Sequence, residues 1–340
     1  MIKALQLWCL RPADPIELEV RSAPVPTPRG GEALVRVHAT TVNPIDVRRA
    51  KGYGQRLLRL MGAGEFPLIL GNDFSGVIAA VGTGVKNLHP GDQVFGLVPT
   101  GKGGAHSSHL CVDSRYIRRA GGNATAEALA TLPYCFTTVW QALRGAGVTK
   151  ANAKGLQVLV HGASGGLGQL ALQLLSSWGA SVTAVCSTPN VATCRELGAA
   201  AVWDRLQQPL GALPASFDVG LNFGDWQDEE VLLSRLKQGA LGYATVVQPL
   251  LGNVDRFRYL RGAWRSYRGF SRMRALAAEK NATYRWIIFR PQIEALDELQ
   301  QLLASDAVKL PVGMAVPFSE ARRAIEHVAK NGRGRAVLLP

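Results

Sequence analysis

Hydrophobic and polar residues follow two different patterns along this chain. They alternate one by one over residues 32–39, which predicts a strand with one buried face, and residues 76–82 and 92–96 predict further strands between turns. From about Thr125 onward, helical segments and strands alternate instead. The pattern therefore predicts a β-rich, barrel-like first domain followed by a second domain of the α/β class.

The most informative segment of the second domain is an apolar run that leads into a cluster of glycines. Residues 156–160 predict a buried strand, and residues 169–178 predict the helix after the glycine turn. Three positions of this turn match the dinucleotide fingerprint G-x-G-x-x-G, with alanine in place of the first glycine. Small residues there let backbone N–H groups approach a pyrophosphate at the positive end of the helix. The residues predicted to hold the cofactor in this turn are Ala163, Ser164, Gly165, Gly166, Leu167 and Gly168.

The end of the next predicted strand, residues 181–186, indicates which dinucleotide binds. Its spacing from the glycine turn is that of a βαβ unit, which favours a nucleotide site over a glycine-rich turn in some other α/β protein. NAD-selective domains usually place Asp or Glu here, whereas this chain has Ser187 and Thr188, whose hydroxyls tolerate a 2′-phosphate. Arg205, after a third predicted strand at residues 200–203, either adds a cation beside that phosphate or is a solvated loop arginine. We therefore predict NADPH as the cofactor.

Chain length and composition fit an enzyme of two domains. The chain has 340 residues, of which 47% are hydrophobic and 19% are charged, enough to bury one large core or two of medium size. A capped amphipathic helix at residues 318–324 and a final strand at residues 332–339 predict that the tail returns to the first domain. The predicted division is a catalytic domain at 1–122, a nucleotide-binding domain at 123–290 and a return to the catalytic domain at 291–340.

Cysteine usage and hydropathy set an expectation for the cellular compartment. The five cysteines form no C-x-x-C pair, and no run of about 18 apolar residues predicts a transmembrane helix. Residues 1–7 have the pattern of a first strand rather than that of a targeting peptide. We therefore expect a reducing, cytoplasmic environment.

Six short motifs resemble, in their order and spacing, those of the medium-chain dehydrogenase/reductases. The motifs are Asn43–Asp46, Gly71–Gly76, Pro90–Gly96, Leu132-Pro133, Thr137–Trp140 and Gly162–Gly168. More narrowly, the chain resembles the zinc-free quinone oxidoreductase branch, with its reticulon-interacting mitochondrial oxidoreductase-like members. The resemblance implies a GroES-like β-rich catalytic domain, a doubly wound Rossmann domain that binds the nucleotide, and assembly into a homodimer.

The same resemblance bears on whether a metal takes part. Zinc alcohol dehydrogenases of this superfamily carry a cysteine near the position of Asn43 and a histidine near that of Asn72. Both positions hold amides here, whereas Zn²⁺ prefers thiolate and imidazole ligands, and the four-cysteine lobe of the structural zinc is missing. His106 and His109 have a spacing that suits a metal pair, although core and surface histidines are far commoner. We therefore predict no metal.

Without a metal, the hydride acceptor must react with little electrophilic help, which favours a quinone or an α,β-unsaturated carbonyl. The anion formed needs a hydrogen-bond donor and then a proton. Resemblance to enoyl-thioester reductases of the same superfamily makes Tyr53 the candidate proton donor, with loop capping as its alternative role. Two further residues complete the candidate catalytic set: Asn43, to hydrogen-bond the acceptor or a ribose, and Asp46, to cap a helix start.

The resemblance also implies cofactor contacts outside the glycine turn. Thr138 would touch the nicotinamide ribose. Asn222, Phe223 and Val247 would line the nicotinamide through backbone groups, with core packing as the alternative for Phe223. Arg335, in the final predicted strand, completes the predicted cofactor-binding residues.

A block of arginines raises a second kind of function. The net charge is +13, and arginines recur between Arg256 and Arg274 at the spacing of one helical face. A basic amphipathic helix can bind an anionic membrane surface or nucleic-acid phosphates. We favour a solvated helix whose aromatic side packs on the nucleotide-binding domain. The apolar stripe beside the arginines consists of Phe257, Leu260, Trp264 and Tyr267.

Two alternatives to quinone or enone reduction follow from these observations. The first is an enoyl-thioester reductase, for which the arginine block would supply a groove for CoA or carrier phosphates. The second is a non-catalytic protein that keeps the NADPH site for redox sensing or RNA binding. Turnover with different acceptors distinguishes all three functions.

Overall fold

The computed structural model of the chain describes residues 3–101, 103–122, 124–305 and 307–340, which divide into two units. The first unit consists of the residues up to Tyr134 together with Arg290–Pro340, and the second unit consists of Cys135–Phe289. Met1 and Ile2, which belong to the predicted strand at residues 1–7, lie outside the described residues. No helix among the described residues has the length and apolar character needed to cross a bilayer.

The chain begins with strands and short helices that make up most of the first unit. In chain order they are β1 (Lys3–Cys9), β2 (Leu18–Pro24), β3 (Glu32–Val42), α1 (Pro44–Ala50), α2 (Gln55–Leu60), β4 (Leu68–Ile69), β5 (Asp73–Val81), β6 (Gln93–Leu97), β7 (His109–Asp113), β8 (Ile117–Arg119) and α3 (Ala126–Ala130). The alternation predicted over residues 32–39 is present in β3 only from Val35 to Ala39, where exposed Arg36 and His38 have buried neighbours; Ala33 and Leu34 are buried as well.

Strands and helices alternate in the second unit. Its elements are α4 (Pro133–Gly145), β9 (Gln157–His161), α5 (Gly166–Ser177), β10 (Ser181–Cys186), α6 (Val191–Glu196), β11 (Ala201–Asp204), β12 (Val219–Asn222), α7 (Glu229–Ser234), β13 (Gly242–Thr245), α8 (Leu250–Phe257), α9 (Tyr259–Glu279) and β14 (Thr283–Trp286). The helix predicted from residue 169 starts earlier, at Gly166, because Gly165 is its N-cap.

The end of the chain lies in the first unit. Its elements are α10 (Ile293–Ala304), β15 (Val312–Pro317), α11 (Ala321–Ala329) and β16 (Arg335–Leu339). β16 pairs antiparallel with β3, with Val337 opposite Thr41. The main sheet of this unit has the order β15-β16-β3-β5-β6-β8, with β7 also on β3, and a smaller sheet has the order β2-β1-β4. The pairing places the start of β16 beside the end of β3.

The first unit extends further along the chain than the predicted boundary at residue 122. Helix α3 belongs to it, since the Ser75 hydroxyl donates to the Ala126 carbonyl at 2.5 Å and Ala130 is buried with Ala39 and Val337. The divide after residue 134 therefore falls inside α4. The second divide, after residue 289, lies next to the predicted boundary at 290.

The six strands of the second unit form one parallel sheet, in the order β11-β10-β9-β12-β13-β14. The chain order reverses between β9 and β12, and doubly wound sheets bind ligands outside the carboxyl ends of the strands at such a switch point. At that edge His161, Asn222 and Thr245 are aligned on neighbouring strands, and Trp286 on β14 continues the row. The predicted fold class, a β-rich domain with a doubly wound α/β domain, is confirmed.

Candidate functional site

The glycine turn between β9 and α5 has a shape that fits a dinucleotide pyrophosphate. Gly162 has a φ of +74°, and a Cβ on Gly168 would overlap the backbone of Ala163, so both positions require glycine. A Cβ on Gly165 would instead meet only the Gly162 carbonyl oxygen, at 3.5 Å, so the space over Gly165 is open. The first N–H groups of α5 have no acceptor within the helix and are available to an anion there.

Hydrogen bonds hold this turn in place before any ligand binds. The Ala163 N–H donates to the Val185 carbonyl at 3.1 Å, which ties the turn to β10. The Gln169 side chain donates to the Ser164 carbonyl at 2.8 Å, which ties the turn to α5. A turn that is already ordered loses less conformational entropy when its ligand binds. The predicted loop residues, from Ala163 to Gly168, all lie in this turn or in the first turn of α5.

The residues predicted to select the cofactor lie together at the ends of β10 and β11. The Arg205 N–H donates to the Cys186 carbonyl at 3.0 Å, which places Arg205 beside the residues that follow β10. The first of these is Ser187, whose hydroxyl oxygen accepts from the Asn190 amide at 3.0 Å and keeps its own proton for another acceptor. Thr188 follows directly and starts a short 3₁₀ turn. Two hydroxyl residues and one arginine thus lie at the ends of the adjacent strands β10 and β11.

Asn222, at the end of β12, uses its side chain entirely within the protein. It is fully buried. Its Oδ1 accepts from the Gly224 N–H at 2.9 Å and lies 2.9 Å from His161 Nδ1. Its Nδ2 donates to the Asp225 carbonyl at 2.8 Å and to a Glu229 carboxylate oxygen at 2.6 Å. The amide has no hydrogen-bonding capacity left for a ligand.

Glu229 is a buried carboxylate at the centre of this polar network. Besides Asn222, the hydroxyls of Tyr284 and Tyr243 donate to it, at 2.7 and 3.1 Å. Burial raises the pKa of Glu229, while the hydrogen bonds from Asn222 and the tyrosines oppose the rise. The four neighbouring strands β9, β12, β13 and β14 each contribute a polar side chain to this network. His161 Nε2 also lies 3.3 Å from Asp228.

Sequence reasoning missed this network. Two residues could have indicated it: His161 and Asn222 are polar, and each ends an apolar strand. The ends of adjacent parallel strands meet at one edge of a sheet, so these two side chains could be expected to lie close together. Glu229 carried no such signal, since it lies on a helix in a stretch rich in acidic residues.

The other predicted nicotinamide contacts lie close to this edge or in α4. The Phe223 N–H donates to the His161 carbonyl at 3.0 Å, and the ring is only partly buried, so core packing accounts for part of its surface. The Val247 N–H approaches the Thr245 hydroxyl at 3.4 Å. Thr138 is buried within α4. Their contact with a cofactor stays a prediction.

A second polar cluster lies in the first unit, where β3 meets β16. Asn43 is fully buried, and its Oδ1 accepts from the Arg335 guanidinium at 2.5 Å across 292 positions of sequence. Its Nδ2 donates to the Thr41 hydroxyl and to Asp73 Oδ1, each at 3.3 Å. The Thr41 hydroxyl also donates to Asp73. The amide predicted to touch the substrate thus holds an arginine and a carboxyl group together.

The carboxyl group of Asp73 is entirely enclosed by the protein. Burial raises the pKa of Asp73 to about 7, although the Arg335 guanidinium and the hydrogen bond from Thr41 act in the opposite direction. The nearby carboxylate of Asp46 adds to the rise. Asp73 therefore changes its protonation state close to neutral pH in the folded protein.

Replacing Asp73 by asparagine is expected to change how stability depends on pH between about pH 4 and pH 7. The folded-state pKa of about 7 lies above the ordinary value of 3.8, so between these pH values the folded protein holds a proton that the unfolded chain releases. The stability of the wild-type protein therefore falls as the pH rises through this window. Asp73→Asn should remove this dependence, which changes the free energy of unfolding by at most about 1.4 kcal/mol per pH unit. Urea unfolding at a series of pH values measures it.

A control for this experiment is Asp113→Asn, at a partly exposed site. A hydrogen bond from Arg115 lowers the pKa of Asp113, so its contribution to stability is lost as the pH falls, the opposite direction. Equal pH dependence in wild type and Asp73→Asn would contradict the raised pKa of Asp73.

Asp46 and Tyr53, the other candidate catalytic residues, lie at the two ends of α1. Asp46 is buried, and its two carboxylate oxygens accept from the backbone N–H groups of Asn43 and Gly71 at 2.8 and 3.0 Å, which is the helix-start role expected of it. The Tyr53 ring lies in the turn after α1, with the Arg48 guanidinium 3.7 Å from its centre. The role of Tyr53 in proton transfer stays a prediction.

The two histidines with a metal-pair spacing are engaged in other contacts. His106 is buried with Nε2 at 3.0 Å from the Thr41 carbonyl, and burial lowers its pKa. His109 Nδ1 lies 3.1 Å from the Ser108 hydroxyl. Among the residues that the structure describes, no cluster of three or more His, Cys, Asp or Glu side chains could hold a metal ion. Independence from zinc stays a prediction.

Comparison with known proteins covers both units. The alcohol dehydrogenase GroES-like domain family matches residues 29–135. The mitochondrial NAD(P)H oxidoreductase RTN4IP1 of Mus musculus is 34% identical over 322 residues, covering 90% of this chain and 81% of that protein. The mitochondrial reticulon-4-interacting protein 1 of Caenorhabditis elegans is 31% identical over 344 residues, covering 94% and 92% of the two chains.

Solved structures share the whole fold. The quinone oxidoreductase of Coxiella burnetii superposes with a TM-score of 0.82 at 24% identity, over 100% of both chains. The first unit is thus GroES-like and the second unit Rossmann-like, as the sequence predicted. With this fold and these relatives, the chain belongs to the quinone oxidoreductase-like family of the medium-chain dehydrogenase/reductases, and it is an oxidoreductase enzyme.

Proposed function

We propose that this enzyme is an NADPH-dependent reductase that transfers hydride to a quinone or an α,β-unsaturated carbonyl without a metal. The observation that carries the proposal is the open glycine turn before α5, with hydroxyls and an arginine grouped at the ends of the next two strands. The enzyme uses a nicotinamide cofactor, which the turn and the NAD(P)H oxidoreductases among its relatives support. When bound, the dihydronicotinamide supplies the hydride.

The choice of NADPH over NADH rests on charge at the edge of β10. No carboxylate ends β10, where NAD-selective domains use one to bind the ribose 2′-hydroxyl. Asp204 ends β11 instead, and one of its oxygens accepts from the Leu206 N–H at 3.0 Å. Arg205 and the hydroxyls of Ser187 and Thr188 suit a 2′-phosphate, because a guanidinium forms charge-assisted hydrogen bonds with phosphate oxygens.

The choice of acceptor rests on the polar cluster of the first unit. Zinc enzymes of the superfamily have metal ligands near positions 43 and 72, whereas here Asn43 holds the Arg335 guanidinium. A fixed positive charge favours a bound anion, such as a cofactor phosphate or the anion that a quinone or enone becomes on reduction. Such acceptors then need only a proton, and Tyr53 is the residue we propose to donate it.

Steady-state oxidation of NADPH and NADH with a benzoquinone, an enone and crotonyl-CoA tests the proposal. We expect turnover of the quinone or the enone, a higher kcat/KM for NADPH than for NADH, and the same rates after treatment with a strong zinc chelator. Preference for crotonyl-CoA would replace the proposal by an enoyl-thioester reductase. Tight NADPH binding without turnover of any acceptor would favour a non-catalytic sensor.

Arg205→Gln is expected to lower kcat/KM for NADPH about tenfold, the effect of losing one hydrogen bond to a charged group, and to leave kcat/KM for NADH unchanged. Arg195→Gln, at an exposed arginine of the same unit, is the matched control and should change neither value. Equal losses with both cofactors would show that Arg205 does not contact a 2′-phosphate.

A homodimer and a cytoplasmic location stay predictions for this enzyme. The parallel sheet ends at β11 and β14, and the open edge of such a strand can pair with that of a second copy. Sedimentation of the purified protein measures the oligomeric state.

A further inference from the structure

Helix α9 presents large apolar side chains to solvent. Leu260 is 88% exposed, Tyr267 is 68% exposed and Trp264 is 57% exposed. They follow one another at intervals of four and three residues, so they form one stripe along the helix. The packing of this aromatic side on the nucleotide-binding domain, which the sequence favoured, is therefore wrong.

A different stripe of α9 packs against the second unit. Its buried members are Gly262, Ser266, Met273 and Ala277. A Cβ on Gly262 would overlap the backbone of α8 at Val254, so glycine lets the two helices approach closely. The Asn253 amide donates to the Ser266 hydroxyl at 3.0 Å across the same contact. Helix α9 is thus fixed with its apolar stripe facing outward.

Arginines flank the exposed stripe without any acidic residue between them. The segment from Arg256 to Arg274 contains seven arginines and no Asp or Glu. Arg272 forms an ion pair with Glu230 at 2.7 Å. Arg268 lies 4.8 Å from the Trp264 ring centre, so cations and aromatic rings are interleaved. We define the α9 face by Leu260, Arg261, Trp264, Arg265, Tyr267 and Arg268.

We propose that the α9 face docks on the surface of an anionic lipid bilayer. A helix with arginines beside leucine, tryptophan and tyrosine places its apolar groups at the boundary of headgroups and acyl chains and its guanidinium groups at the lipid phosphates. The positive charge of the face is complementary to such a surface. Nucleic acid would engage the arginines and aromatic rings but would leave Leu260, the most exposed of the stripe, without an apolar partner.

This surface goes beyond the proposed reduction and does not depend on it. Docking would hold the enzyme where acceptors with long apolar tails are concentrated. Because the test below measures binding and not turnover, failure of the docking leaves the proposed activity untouched, and loss of activity leaves the docking untouched.

Flotation of the full chain with vesicles tests the proposal. We expect the protein to float with vesicles of phosphatidylcholine and phosphatidylserine, and to stay in solution with phosphatidylcholine alone. Binding should fall in about 1 M salt, where the Debye length is about 3 Å. Absence of binding to the anionic vesicles, or equal binding to both kinds, would overturn the proposal.

Two sets of variants locate the contact. Leu260→Gln with Trp264→Gln should abolish flotation, whereas Leu206→Gln, at an exposed leucine outside α9, should not change it. Combined Arg261→Gln, Arg265→Gln and Arg268→Gln should weaken binding about a hundredfold, from about fivefold for each cation. The charge-matched control combines Lys154→Gln, Arg195→Gln and Arg322→Gln at exposed positions elsewhere. Equal losses of vesicle binding in the three-arginine variant of α9 and in its charge-matched control would overturn the assignment to α9.

Two other partners, a second copy of this chain and RNA, would give different results if they bound the α9 face. Sedimentation of the Leu260→Gln, Trp264→Gln protein would show dissociation of a dimer if a second copy covered the face. A titration with single-stranded RNA would show binding that depends on the three arginines and not on Leu260. Either result, in a protein that does not float, would replace the lipid surface by that partner and overturn the proposal.

Discussion

Replacing Gly165 by valine is expected to weaken NADPH binding at least about a hundredfold, a change of about 2.7 kcal/mol, and to leave the melting temperature unchanged. The turn has room for the new side chain, since a Cβ there meets only the Gly162 carbonyl oxygen at 3.5 Å. The φ of Gly165 is −75°, which valine also adopts. The branched side chain therefore occupies the space proposed for the pyrophosphate without disturbing the protein. Calorimetric titration with NADPH and thermal unfolding measure the two effects.

Two other glycines serve as controls for this experiment. Gly211→Val lies in open space in the same unit and should change neither binding nor stability. Gly168→Ala should lower the free energy of unfolding by about 1–3 kcal/mol, because its Cβ would overlap the backbone of Ala163. Normal NADPH binding by Gly165→Val would show that the cofactor does not lie over this turn.

Replacing Glu229 by alanine is expected to lower the free energy of unfolding by about 3–5 kcal/mol. Three buried donors, from Asn222, Tyr243 and Tyr284, would lose their acceptor at once. Each buried donor left without a partner destabilises a protein by about 1–3 kcal/mol, and the tyrosines can recover part of this by moving or by admitting water. Chemical denaturation measures the loss.

The neighbouring residue provides a matched control. Glu230→Ala removes only the exposed ion pair with Arg272, so its effect should stay below about 1 kcal/mol. The loss in free energy of unfolding for Glu229→Gln should lie between those for Glu229→Ala and Glu230→Ala. A glutamine keeps one acceptor oxygen but turns an amide group toward the remaining donors. A loss below about 1 kcal/mol in Glu229→Ala would mean that the network is not a source of stability.

Much of the proposed cofactor site could be predicted because the residues that form it are close together in the sequence. The strand, the glycine turn and the helix occupy neighbouring positions of the sequence, and Ser187 and Thr188 follow the next strand directly. Steric rules for glycine and the period of apolar residues act over a few residues, so they can be recognised without a structure. Arg205 lies beside this segment, since it follows β11, which pairs with β10; its contact with a cofactor stays a prediction.

The first-unit cluster could be predicted only in part. Asn43 and Arg335 were both candidates, but nothing in the sequence indicated that they bind each other, since 292 positions separate them. Their contact depends on the pairing of β16 with β3. Asp73 was not a candidate at all, because the raised pKa of its side chain arises from burial, which a sequence does not report.

The fold class, the glycine turn before α5 and the amphipathic character of α9 follow from the amino-acid order, because each is encoded in the spacing of nearby residues. Which stripe of α9 is buried depends instead on tertiary packing. Periodicity placed an arginine face beside an aromatic stripe, yet the helix packs through Gly262 and Ser266, since small residues allow α8 to come close. Tertiary packing also joins Asn222 and Glu229 in one buried network, because such contacts arise only when the ends of β9, β12 and β13 meet around α7.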